Sequence, residues 1–247
     1  MNLAITCILL YVVSQLAIAF YFSRKNKSEE DFLLAGRSIG PWMGTFAVFA
    51  TWFGAETCIG AAGEAYARGL SGVLADPFAY TLGILAMGLF FAVTLWKRGI
   101  ITLADLFRQR YGTGVERLAA LIMIPSSVMW AAAQVRAFGQ VLASASELNL
   151  VFAITLAAVV VIAYTTIGGL WANAVTDLVQ GIVIVMGIVG LFAVFVSVGG
   201  LQTIAALPPE KLSFTHQRSV WDVLNTLAVP IFSTIAAQEL VSRVLPM

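Results

Sequence analysis

Apolar residues run along this chain in long unbroken blocks rather than in alternation. Seven blocks approach the roughly 20 residues that a helix needs to cross a bilayer core. They lie at Leu3–Phe22, Trp42–Tyr66, Val73–Trp96, Leu118–Ser144, Val151–Ile167, Ala174–Val198 and Val220–Leu245. The blocks are too continuous for barrel strands, which alternate and are about 10 residues long. The expected fold is all-α, a single polytopic transmembrane domain over residues 1–247 with about seven helices. Polar and small residues interrupt the second and seventh blocks.

The polar positions between blocks orient the chain. Arg24, Lys25, Lys27, Arg37, Lys97, Arg98, Arg108, Arg110 and Arg117 follow the first and third blocks, against Arg68, Lys211 and Arg218 on the other side. Basic residues prefer the cytoplasmic side. The N-terminus is therefore expected outside, with segments 23–41 and 97–117 in the cytoplasm. The first block is not read as a cleaved signal peptide, because its basic residues follow it. Thr102 and Asp105 have the spacing of a capping box, which predicts a short surface helix ending near Gly112.

Composition narrows the class. Hydrophobic residues make up 60% of the 247 and charged residues 11%, with a mean hydropathy of +0.92. Soluble domains carry about 25% charged residues, so a soluble or disordered chain is excluded. The net charge of +1 and the scattered basic residues exclude a nucleic-acid partner. Cys7 and Cys58 make neither a metal spacing nor a disulfide framework, and a lone His216 leaves little for zinc or histidine catalysis. No nucleotide loop or catalytic triad pattern supports an enzyme, and no cofactor is expected. A retinal protein is excluded too, since Lys25, Lys27, Lys97 and Lys211 all lie outside the seventh block, where the Schiff base would form.

Ionisable residues inside spans are costly and therefore functional candidates. They are Glu56, Arg136, Asp177 and Glu239; Glu64 and Asp76 lie near span ends and read as interfacial. Asp177 lies near the inner end of the sixth span and Arg136 towards the outer end of the fourth. Their depths argue against a pair, unless a helix is broken or strongly tilted. For Glu239, snorkelling to the interface and a functional role both stay open. Glu56 has the richest setting, with three glycines, four alanines, two threonines and Trp52 between Ala50 and Gly63. Glycine lowers the cost of leaving the helix, and unwound carbonyls can then hold a cation. Close helix packing is the plainer use of small residues, but the carboxylate and the indole favour a binding site. Trp52 and Trp130 sit too deep for an interfacial belt, and aromatic faces can hold an organic cation.

Four stretches together resemble the sodium:solute symporter family. They are Glu30 to Gly40, Ala50 to Gly63, Gly168 to Gln180 with its Gly-Gly, Thr-Asp and Gln, and Gln238 to Arg243. The resemblance implies a leucine-transporter-type fold of two inverted repeats. Spans two to six would form the first repeat and span seven would open the second, so the chain would be an N-terminal half. The implied activity is sodium-coupled symport of a small organic solute by alternating access. Sodium would be held by the carbonyls of Ala50 and Phe53 and by hydroxyls on a later helix, with Asp177 on the ion path. Trp52, Glu56, Tyr80 and Trp130 would hold the solute. Ala50 to Trp52, Tyr80 and Trp130 to Ala133 resemble the choline-transporting branch of that family, from which Ala237 departs by not being aromatic. Choline, another amine, an amino acid and an organic acid stay open as solutes.

The partners implied are sodium, the solute, the bilayer, and a missing second half or another membrane chain. A structural or regulatory half-protein that pairs with such a chain is the alternative reading. Coupling is energetically sufficient. One charge falling through 100 mV yields about 2.3 kcal/mol, and a tenfold gradient adds about 1.4 kcal/mol. Together these concentrate a neutral solute roughly 500-fold.

Overall fold

The computed structural model describes residues 3–24, 28–54, 56–216 and 218–247. Among them, every regular element is helical. The first is α1 (Leu3–Ser23), on the first expected span. A short α2 (Glu29–Leu34) follows, and then α3 (Pro41–Trp52), which opens with Gly40 in extended conformation and Pro41 at its first position. Proline suits that position because its fixed φ is helical and its missing N–H has no intrahelical partner there.

The second expected span is broken after Trp52, and helical geometry resumes at Glu56 in wide turns leading to α4 (Ala62–Arg68). Gly69, at φ 67°, ends α4, and the chain folds back on itself. Two hydrogen bonds establish the reversal. The Thr57 hydroxyl donates to Asp76 at 2.7 Å and the Tyr80 hydroxyl to Glu56 at 2.9 Å. In one continuous helix these pairs would lie about 28 and 36 Å apart. Asp76, expected at the interface, is instead a half-buried acceptor between two adjacent segments. The third span consists of α5 (Tyr80–Ala86) and α6 (Ala92–Lys97), joined by another widened turn.

The expected surface helix is α7 (Leu103–Tyr111), and Gly112 at φ 85° ends it. The Asp105 carboxylate accepts from the N–H groups of Ile101 and Thr102 at 3.0 and 2.8 Å, which satisfies donors that a helix start leaves open. Next come α8 (Thr113–Ala145) and α9 (Leu150–Ser197), the latter started by the Asn149 side chain accepting from the Val151 N–H. The fifth and sixth expected spans are the two arms of α9. Residues 168–173, expected as a loop, keep helical bonding, and only Gly169 interrupts them, at φ 61° and ψ −166°. A straight helix of α9's 48 residues would be about 72 Å long, more than twice a bilayer core of about 30 Å. After α10 (Gly200–Ala205), the seventh span is α11 (Val220–Ile235) and α12 (Gln238–Val244), bent by 48° at their junction.

Four helical stretches among the described residues are long and apolar enough to cross a membrane, and five with the bent pair. Their large apolar side chains point outwards. Leu121, Ile122 and Met129 on α8 and Leu191 and Phe192 on α9 are each at least 60% exposed, a surface suited to lipid and not to water. The buried apolar cluster lies at one end, where Leu34, Leu95, Ile100, Leu103, Leu240, Val241 and Leu245 meet. The two segments expected in the cytoplasm and the end of the chain join there. Arg37 donates to the Ile100 carbonyl at 3.2 Å, and the Ile39 N–H to the Pro246 carbonyl at 3.1 Å. At another place in the fold, Lys211 donates to the carbonyls of Tyr66 and Ala67 at 2.9 and 2.6 Å, so the segments expected outside also lie together. A cation at a helix C-terminus meets both the last carbonyls and the negative end of the dipole.

Candidate functional site

Two breaks meet in the middle of the bundle. In α3 the last helical bond runs from the Phe53 N–H to the Phe49 carbonyl at 2.8 Å, and helical bonding resumes from the Cys58 N–H to the Gly54 carbonyl at 3.0 Å. In the seventh span α11 ends at Ile235 and α12 begins after Ala237, whose backbone is extended. Around these breaks lie two cavities of about 380 and 500 Å³.

The smaller cavity brings together all four residues expected to hold the solute: Trp52, Glu56, Tyr80 and Trp130. The rings of Trp52 and Tyr80 stand 5.3 Å apart at 42°. The Tyr80 hydroxyl is engaged with the Glu56 carboxylate, which fixes both against the wall. The indole N–H of Trp52 is buried with no hydrogen-bond partner among the described residues. Ser126, Ser127 and Ser233 add hydroxyls, and Glu239 adds a second carboxylate. None of the described lining residues is basic. Ala237, the departure noted in the sequence, is part of this lining and leaves open the volume an aromatic ring would fill.

The larger cavity is lined by Ala50 and Asp177, two of the three residues expected on the sodium path. Phe53 lines neither cavity; its ring stacks on Phe49 at 5.3 Å, and only its backbone faces the break. Asp177, expected on the ion path with its depth arguing against a pair with Arg136, is paired with Arg243 of α12 at 3.0 Å. Asp177 is 8% exposed, and the pair is an electrostatic contact, not an aligned hydrogen bond. Arg243 also donates through Nε to the Thr51 hydroxyl at 3.0 Å, and Thr51 donates to the Ala47 carbonyl at 2.7 Å. One guanidinium thus joins α3, α9 and α12.

Arg243 was visible in the sequence only as the end of the Gln238–Arg243 stretch, four residues after Glu239. Both acids and bases on a short helical segment inside a broken span are the signal that could have marked it. Glu239 is no snorkelling end residue: it accepts from the Ser127 hydroxyl at 2.7 Å and lines both cavities.

A model of the sodium:solute symporter family matches residues 32–239. High-affinity choline transporter 1 of Drosophila melanogaster is 30% identical over 248 residues, covering 98% of this chain and 40% of that protein. The Homo sapiens high affinity choline transporter 1 is 33% identical over 167 residues, covering 66% of this chain and 28% of its own length. The osmoregulated proline transporter OpuE of Bacillus subtilis is 26% identical, covering 89% of this chain and 47% of its own. The chain therefore spans less than half the length of these relatives. Among solved structures, a Na+-coupled sialic acid symporter in a substrate-bound outward-open state superposes with a TM-score of 0.77 at 20% identity, over 97% of this chain and 52% of that one. That likeness gives this chain the all-helical, polytopic, leucine-transporter-type fold expected from the resemblance, over about half of the known transporter.

Proposed function

The chain belongs to the sodium:solute symporter family, a family of transporters and not of enzymes, and we propose that it forms the solute-holding part of a sodium-coupled symporter for a small organic cation. The observation that carries the reading is the convergence of Trp52, Glu56, Tyr80 and Trp130 on one cavity beside the break in the second span. Its volume of about 380 Å³ is at the lower end of the range of about 300–1,000 Å³ for small-molecule sites. Aromatic faces attract a desolvated cation by about 2 kcal/mol or more. Two acidic and, among the described residues, no basic lining residues favour a positively charged solute over an organic acid. The relatives named for choline support an ammonium group, and Ala237 leaves room for one bulkier than choline.

Sodium would bind at the carbonyls of Ala50 and Phe53, with the remaining oxygens from helices beyond this chain. The hard-cation preference for oxygen ligands suits that set. Seven crossings over the spans given above, with the N-terminus outside, complete the reading, and alternating access would work through the two breaks. Transport itself requires the helices that the longer relatives carry.

The test is equilibrium binding of radiolabelled choline to the purified chain in nanodiscs, competed by acetylcholine, proline and the neutral choline isostere 3,3-dimethylbutan-1-ol. The cations should compete at least tenfold better than the isostere, as about 1.4 kcal/mol of cation–π and charge attraction requires. Glu56→Gln and Trp52→Ala should each reduce that preference. Equal competition by the isostere, or tighter binding of proline, would sink the organic-cation reading.

A further inference from the structure

Among the described residues, three line both cavities: Thr51, Trp130 and Glu239. They form the partition between the solute cavity and the chamber that holds the Asp177–Arg243 pair. Two of the three are tied across it. Thr51 is held by Arg243, a hydrogen bond that adds to an ion pair. Glu239 accepts from a neutral donor, the Ser127 hydroxyl of α8. Glu239 is the second residue of α12, directly after the bend, so this bond fastens the short arm of a bent span to α8.

The Ser127 hydroxyl gives the carboxylate a dipole to bond, whereas an ammonium gives it a full opposite charge, whose Coulombic attraction inside a poorly screened cavity is the larger. The solute cavity is where such a cation would arrive. We propose that Glu239 is the gate carboxylate of this site: an organic ammonium in the smaller cavity takes Glu239 from Ser127, frees α12 from α8 and opens the partition to the larger cavity. The proposal rests on the organic-cation reading above. It adds a specificity residue that neither the aromatic set nor the sodium carbonyls supply. A neutral solute of the same shape offers no ionic contact to exchange for the Ser127 bond, and so leaves the partition closed.

The experiment is a binding cycle on the full chain, read by the fluorescence of Trp52 and Trp130, with choline and 3,3-dimethylbutan-1-ol as probes. Glu239→Gln should weaken choline about tenfold, the scale of a lost charged contact, and leave the neutral isostere unchanged. Retained isostere binding also shows that the variant is folded. Ser127→Ala should act in the opposite direction and tighten choline about threefold, because the competing hydrogen bond is gone. In the Glu239→Gln background, Ser127→Ala should do nothing.

A second readout follows the opening. In a Cys7→Ser, Cys58→Ser background, Ser242→Cys reports the larger cavity alone. Choline should speed its alkylation when Glu239 is present and not in Glu239→Gln. If choline binds with its preference intact but Glu239→Gln binds it equally well, the gate is wrong while the organic-cation reading stands. If Ser127→Ala weakens choline as Glu239→Gln does, the bond supports the site and does not compete with the solute, and the proposal fails. An alkylation rate that choline leaves unchanged overturns the opening step. If the wild-type chain shows no preference for choline over the isostere, both readings fall together.

Discussion

Replacing Arg243 by glutamine should be among the most damaging single changes in this chain. The substitution leaves Asp177, 8% exposed, without its partner, and removes the donor to Thr51. At 3.0 Å the gross attraction is about 5 kcal/mol with an effective dielectric of about 20. Desolvation offsets much of that in the intact pair. Removing one partner still exposes the full cost of a stranded buried charge, about 3–5 kcal/mol. The loss of the Thr51 bond adds about 1 kcal/mol. Asp177→Asn should cost less than Arg243→Gln, because the asparagine amide is neutral while Arg243 keeps its Thr51 contact. The double variant should recover at least half of the loss from Arg243→Gln, since no charge is then stranded. Arg136→Gln should add independently to either change. The assay is reversible unfolding in mixed micelles against rising SDS, followed by tryptophan fluorescence. Arg243→Gln no worse than the exposed control Arg110→Gln, or coupling of Asp177 to Arg136 in place of Arg243, would refute the account of the ion pair.

Orientation is checked by cysteine labelling in the background lacking Cys7 and Cys58: an impermeant maleimide added outside should reach a cysteine at position 205 and not one at 104, and strong labelling at 104 would invert the topology. Gly69→Ala should destabilise the chain by at least about 1–3 kcal/mol, because Gly69 sits at φ 67° and ψ −145°, a region essentially kept for glycine, and a Cβ there would also run into the Lys211 backbone; the SDS midpoint measures it, and an unchanged midpoint would remove the reversal from this turn. Residues 1–247 reconstituted in vesicles with an imposed sodium gradient should accumulate no solute. Accumulation should appear when a chain carrying the later helices is supplied, and sodium-driven uptake by this chain alone would require a complete ion site within it.

Local chemistry made much of this protein legible in one dimension. The length of an apolar run decides whether a helix can cross a bilayer, and that length is written along the chain. The cap formed by Thr102 and Asp105 involves four consecutive residues, so its spacing alone announces α7. The break near Glu56 was marked by the density of small residues around it, and four side chains singled out for solute binding do share one cavity. Relations between helices were not legible in the same way. Depth along a span argued against Arg136 as the partner of Asp177 and puts Arg243, the residue it does contact, at the same inner level, but depth alone does not say which helices are neighbours at that level. That contact depends on the 48° bend before α12 and on the rotation of α3 and α9 about their own axes. Hydropathy carries neither quantity, since turning a helix about its axis leaves its apolar length unchanged. Glu239 looked like an end residue because its distance from the span's end is small. The bend turns it inwards against Ser127, and the partition between the two cavities exists only in the packed bundle, where the gaps between neighbouring helices are set by side chains far apart in the chain.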